Sequence, residues 1–167
     1  MPKNNQLDRV IRSRHIETGN VATADIADNA ITNAKLGSLQ EKTLLYEYDF
    51  AVSGGATSTI ALTGIGNITP TPLPDNAVIT NVTIEGVTDN TSSGSATIAL
   101  GYTGATAGFL AATAFDHAMW NVNAVTSGGP VVANGKTSSQ AGVVAVIATA
   151  ALTAGKWYVW VTYFEGA

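Results

Sequence analysis

The sequence predicts an all-β protein, an antiparallel sandwich or barrel of about eight short strands preceded by an extended N-terminal arm with short helical turns. Three observations carry this. Runs of β-branched and aromatic residues recur between Gly, Pro, Asn and Ser punctuation at intervals of roughly 8 to 12 residues. Charged residues make up only 12% of the chain, against roughly 25% in typical soluble domains, while Gly, Ala, Thr, Ser and Val abound. The leading segment, by contrast, spaces its aliphatic residues as neither a helix nor a strand would. At 167 residues the chain suits one domain with its own core plus an appendage.

The arm comes first. Residues 1–42 hold Lys3, Arg9, Arg12, Arg14, Lys35 and Lys42 against Asp8, Glu17, Asp25, Asp28 and Glu41, whereas only Lys136 and Lys156 are cationic beyond them. Aromatic and β-branched density rises near Thr43, which sets the expected boundary: an arm over 1–43 for docking and oligomer contacts, and a body over 44–167. Ile11, Ile16, Val21, Ile26, Ile31 and Leu36 stand five apart. A helix face needs threes and fours and a strand face needs twos. Six aliphatic side chains so placed have no facing layer within the segment, so they need cover from sister subunits or a larger partner. Short helical turns are expected at Thr23–Asp28 and Thr32–Leu36; the plain alternative is a frayed tail. Arg9, Arg12 and Arg14 flank Ile11 and suit contact with an acidic protein surface, or simply a solubilising terminus.

The body opens with Leu44–Val52, where Tyr46, Tyr48, Phe50 and Val52 share one strand face and Glu47 and Asp49 the other. Ser53-Gly54-Gly55 turns the chain into Ser58–Thr63. A loop over Gly64–Asn76 is stiffened by Pro70, Pro72 and Pro74 and expected to be unpaired. Ala77–Val87 reads as a long strand with Val78, Thr80, Val82 and Ile84 on one side, and Asp89–Gly94 as a polar turn. Ser95–Tyr102 and Gly108–Phe115 are further strands, whereas Asp116–Lys136 has no legible pattern.

The last element, Gly142–Phe164, reads as two strands joined through Thr153-Ala154-Gly155, with Gly155 at the turn. In its second run Trp157, Val159, Val161 and Tyr163 lie on one face and Tyr158, Trp160, Thr162 and Phe164 on the other. Neither face suits water, so a second cover is expected, with a neighbouring subunit as one candidate and a tolerant exposed face as the alternative.

Two stretches carry a resemblance. Ala24-Asp25-Ile26-Ala27-Asp28-Asn29-Ala30-Ile31-Thr32-Asn33-Ala34-Lys35-Leu36-Gly37 resembles a segment of tailed-bacteriophage fibre, head-fibre and capsid-decoration proteins that lies between an attachment region and a β-rich body. Ala151–Tyr163 looks like the last strand of such bodies. The resemblance covers about a quarter of the chain, in line with the small share these motifs hold of its length. It implies a jelly-roll-like antiparallel β-sandwich, a homotrimer and a place on the virion at the capsid surface. The two-faced last strand also argues for the trimer.

Chemistry has little support. His15 sits in the arm, and Asp116 and His117, adjacent on a strand, would face opposite sides. No Gly-x-Ser-x-Gly elbow is present. Glu47, Asp49, Glu85 and Asp116 could pair as glycosidase carboxylates, but any acidic β-protein offers such pairs. Asp89–Gly94 is oxygen-rich but lacks the ligand rhythm of a calcium loop. With no cysteine, thiolate metal sites and Cys nucleophiles are excluded. No enzyme activity, cofactor or metal is expected. A net charge of −4 disfavours nucleic acid as a partner, and no apolar run reaches the roughly 18 residues of a membrane span.

The expectation is therefore a capsid cement or decoration protein that binds the major capsid protein through its arm and stabilises the head. Arg9, Ile11, Arg12, Arg14, Ile16, Val21, Ile26, Ile31, Leu36, Trp157 and Trp160 are the candidate capsid or subunit contacts. The alternative is a head-fibre or tail-fibre module that binds a host surface glycan by stacking sugars on Trp120, Trp157 and Trp160.

Overall fold

A computed structural model describes residues 40–128 and 135–165. Eight strands run β1 Glu41–Asp49, β2 Thr59–Ala61, β3 Ala77–Ser92, β4 Thr97–Tyr102, β5 Ala105–Ala114, β6 Val125–Gly128, β7 Val143–Ala148 and β8 Leu152–Glu165. They form two four-stranded sheets in the orders β1-β8-β3-β6 and β2-β7-β4-β5. Every pairing is antiparallel. The first strand pairs with the last, the second with the seventh, the third with the sixth and the fourth with the fifth. That is a long double ribbon, and the β3·β8 and β4·β7 pairings wrap it onto itself. The result is the jelly roll.

The strands form where β-branched and aromatic residues concentrate, and every second side chain enters the core. Tyr46 and Tyr48 of β1 turn inward, as do Ile79, Val82 and Ile84 of β3, Ile98 and Leu100 of β4, Val143, Ala145 and Ile147 of β7, and Trp157, Val159, Val161 and Tyr163 of β8, all in one core. The ring of Trp157 stacks on Tyr48 at 4.6 Å between centroids and lies 5.3 Å from Trp120. This aromatic cluster fills the sandwich at the end where β1 leaves the first sheet.

Several elements depart from the sequence reading. Phe50 and Val52 do not extend β1, because Asp49 caps a one-turn helix α1 (Phe50–Ser53) by accepting from the Ala51 N–H at 2.9 Å, and Gly54, at φ 67°, ends it. The corner carries the chain from one sheet to the other and leaves Val52 exposed. The proline loop is not wholly unpaired: Leu73 exchanges two backbone hydrogen bonds with Ala141, at 2.9 and 3.0 Å, and is fully buried beneath the sandwich.

Asp89–Ser92 is strand, not turn, since β3 stays paired with β8 through a series of register shifts. The β7–β8 reversal falls earlier than Gly155, at Thr149, whose φ is 70°. Gly155 lies within β8 instead, where a Cβ would sit 2.0 Å from Asn90 Oδ1, so its lack of a side chain admits Asn90. The illegible stretch after Asp116 holds a 3-10 turn, Ala118–Trp120, and the short edge strand β6. His117 caps that turn, its Nδ1 accepting from the Met119 N–H at 3.3 Å, and so delivers Trp120 to the core.

Candidate functional site

The outer face of the β1-β8-β3-β6 sheet is built by the side chains that alternate with the core. The register sets Leu45, Trp160, Thr83 and Ser127 in one row across four strands, and Glu47, Tyr158, Glu85 and Val125 in the next. A hydroxyl ladder fixes the polar part: Thr83 meets Ser127 at 2.6 Å, Thr43 meets Thr162 at 3.2 Å, and Thr80 donates to Glu41 Oε1 at 2.6 Å. Trp160 stands 37% exposed beside Leu45.

At the edge of this face a charged cluster holds a loop against β1. Glu47 is only 2% exposed, and its carboxylate meets Lys156 Nζ on one oxygen and accepts the Gly66 N–H at 2.7 Å on the other. Lys156 also reaches Asp49 Oδ2 at 2.9 Å. The hydrogen bond from Lys156 holds the Asp49 carboxyl below its ordinary range, and the bonds to Glu47 and then Asp49 push the Lys156 ammonium above its own. Backbone bonds between Glu47 and Thr63, 2.7 and 3.1 Å, complete the attachment. Burial raises the neighbouring Tyr48 phenol to about 12, and the neutral hydroxyl donates to Gly54 O at 2.8 Å.

The loop so held walls an apolar groove of about 250 Å³ lined by Leu44, Leu45, Gly64, Ile65, Ile68, Thr69, Pro70 and Thr71. Ile68 is 63% exposed and Ile65 45%. Leu45 lines this groove and also stands in the row with Trp160.

Of the residues expected to make contacts, Arg9, Ile11, Arg12, Arg14, Ile16, Val21, Ile26, Ile31 and Leu36 lie outside the described residues. Trp160 is on the outer face, as its parity on β8 requires. Trp157 is not available to a partner: at 0% exposure it is core of its own chain. Trp120 is equally buried, so the three tryptophans form no sugar-stacking platform. Asp89 Oδ1 accepts the Val122 N–H at 2.6 Å, Thr91 Oγ1 meets Thr153 Oγ1 at 2.7 Å and Ser92 Oγ donates to Ala151 O at 2.7 Å, so these three are engaged by their neighbours, whereas the buried Asn90 amide between them has no hydrogen-bond partner. Among the described residues no three His, Cys, Asp or Glu side chains gather as metal ligands. The groove itself was missed by sequence reading. Its signal was the pair Ile65 and Ile68 in a Gly-Pro loop, where large aliphatic residues have no core to enter.

No protein-family description matches this sequence, and no curated protein does. Among solved structures, a chain of the cyanophage Pam1 capsid asymmetric unit matches at 18% identity and a TM-score of 0.51, over 76% of this chain and 86% of that one. A chain from the acidic stable capsid of Helicobacter pylori bacteriophage KHP30 matches at 18% identity and a TM-score of 0.49, over 74% and 86%. At this identity the likeness is one of fold.

Proposed function

We propose that this chain is a structural virion protein of a tailed bacteriophage, a cement or decoration protein that sits on the outer capsid as a homotrimer and stabilises the head. The observation that carries the reading is the jelly-roll body, whose fold likeness to a phage capsid chain takes in most of both chains. The arm supplies the attachment. At about 3.3 to 3.6 Å per residue, a segment of about 40 residues would span more than 100 Å if laid out along the capsid, where many weak contacts with the major capsid protein would add as avidity. The outer face with Trp160 supplies the contact between sister copies or with the capsid beneath. The reading assigns the chain no catalytic step, no cofactor, no nucleic acid and no membrane.

The test adds the purified chain to phage heads that lack it. Density for the sandwich on the outer surface and a higher temperature of head disruption are the expected outcome. Bare heads, with the chain bound instead to tail or fibre structures, would overturn the assignment.

A further inference from the structure

We propose that the outer face of the β1-β8-β3-β6 sheet receives an arginine side chain from a partner protein, stacked on the Trp160 indole and paired with the Glu85 carboxylate. The register brings the two groups together. Trp160 stands opposite Thr83 and Tyr158 opposite Glu85, so Glu85 is a diagonal neighbour of Trp160 on one face of the sheet. Diagonal neighbours across antiparallel strands stand about 7–8 Å apart, within reach of long and aromatic side chains. One planar group can therefore touch both.

Charge selects the occupant. On this face Glu41, Glu47, Asp49 and Glu85 stand against a single cation, Lys156. Lys156 is committed to Glu47 and Asp49, and Glu41 accepts from Thr80. Among the described residues no cation pairs with Glu85. The same face of a second copy would set like charges against each other, and a nucleic-acid phosphate would meet the same repulsion. A cationic partner meets none. Beside the free carboxylate stands an indole that reaches water, and indole is the aromatic group that attracts cations best.

Arginine satisfies both groups at once. Its planar guanidinium stacks on an aromatic ring while the N–H fork donates to a carboxylate, whereas a lysine ammonium is a point charge that lacks the plane. Tyr158 and Val125 flank Glu85 in its row, so a partner seated there would shield the ion pair from water and strengthen it. This deepens the reading above, in which the same face makes the contact, and the two fail separately: arginine binding is measured on the free chain, head binding on particles.

The three tryptophans supply the assay and its control, because Trp160 reaches water while Trp120 and Trp157 are fully buried. The full-length chain is labelled with nitrogen-15 at tryptophan, and the three indole N–H signals are followed as a blocked triarginine peptide is added in low-salt buffer. Trp160→Phe assigns the signal that belongs to the outer face. The expected result is a saturable shift of that signal at millimolar peptide with the other two unmoved. Trilysine should bind several-fold more weakly, triglutamate should not bind, and Glu85→Gln should weaken triarginine binding several-fold while leaving the two buried indole signals in place. An unmoved Trp160 signal would overturn the proposal. So would equal binding of triarginine and trilysine, or triarginine binding that Glu85→Gln leaves unchanged.

Discussion

Trp157 and Trp160 lie three residues apart on β8 and face opposite ways, so replacing each in turn separates core from contact surface. Trp157 is fully buried, stacked on Tyr48 and set against Trp120. Burying an indole removes on the order of 200 Å² from water, worth about 5 kcal/mol at roughly 25 cal/mol per Å². Measured losses for aromatic-to-Ala changes in cores run about 3–5 kcal/mol because the site partly collapses. Trp157→Ala should therefore lose about 4 kcal/mol, a large share of the roughly 5–15 kcal/mol that holds a domain together. At about 3 °C per kcal/mol for a body of this size, the melting temperature falls by about 12 °C. Trp160→Ala should cost about 1–2 kcal/mol, clearly less than Trp157→Ala, since 37% of its surface is already in contact with water. Urea titrations followed by far-ultraviolet circular dichroism measure both without relying on the deleted fluorophore. Equal losses, or a Trp157→Ala protein within 1 kcal/mol of the parent, would refute the placement of the two faces.

Lys156→Met strands the Glu47 carboxylate in its buried position beside Gly66, and should cost about 3 kcal/mol at neutral pH in the same titration, the low end for a broken buried pair because Lys156 is partly exposed. Gly86→Ala places a Cβ 2.0 Å from the Asn121 carbonyl, so it should destabilise by about 1–3 kcal/mol through displacement of the Trp120 turn. The charged cluster also sets a pH profile. Asp49 has its folded value lowered from 3.8, so its contribution is full above about pH 4 and is lost as pH falls through the lowered value. Lys156 is raised above 10.5 by its carboxylate partners, and Tyr48 is raised from 10.0 to about 12 by burial, so both contribute fully below about pH 10 and lose stability as pH rises beyond it. Stability measured against pH should thus fall on both flanks, and Lys156→Met should flatten the acid flank.

The body was legible where local pattern and tertiary need agree. Val143–Ala148 and Trp157–Tyr163 were legible as strands from their density of β-branched and aromatic residues between Gly and Thr punctuation, since both must cross the core. What escaped reading depended on distant partners. Asp89–Ser92 resembles a turn by composition, yet β8 across from it offers a backbone ladder that outweighs propensity. Phe50 continued a strand pattern, but the Asp49 cap ends the strand one residue earlier. Both faces of β8 look apolar in sequence, and only the register with Leu45 and Thr83 shows which tryptophan is covered. The groove had no periodic signal at all, because its walls come from a strand edge and a loop brought together by Glu47 through its bonds to Thr63 and Gly66.

Attachment through the arm is measured most directly by co-sedimentation with phage heads that lack the chain, comparing the full-length protein with residues 40–167. The shorter chain begins one residue before β1 and keeps every described strand. Saturating occupancy by the full-length protein, with the shortened one left in the supernatant although folded, is the predicted result. Equal occupancy by both would contradict an arm that holds the body on the capsid.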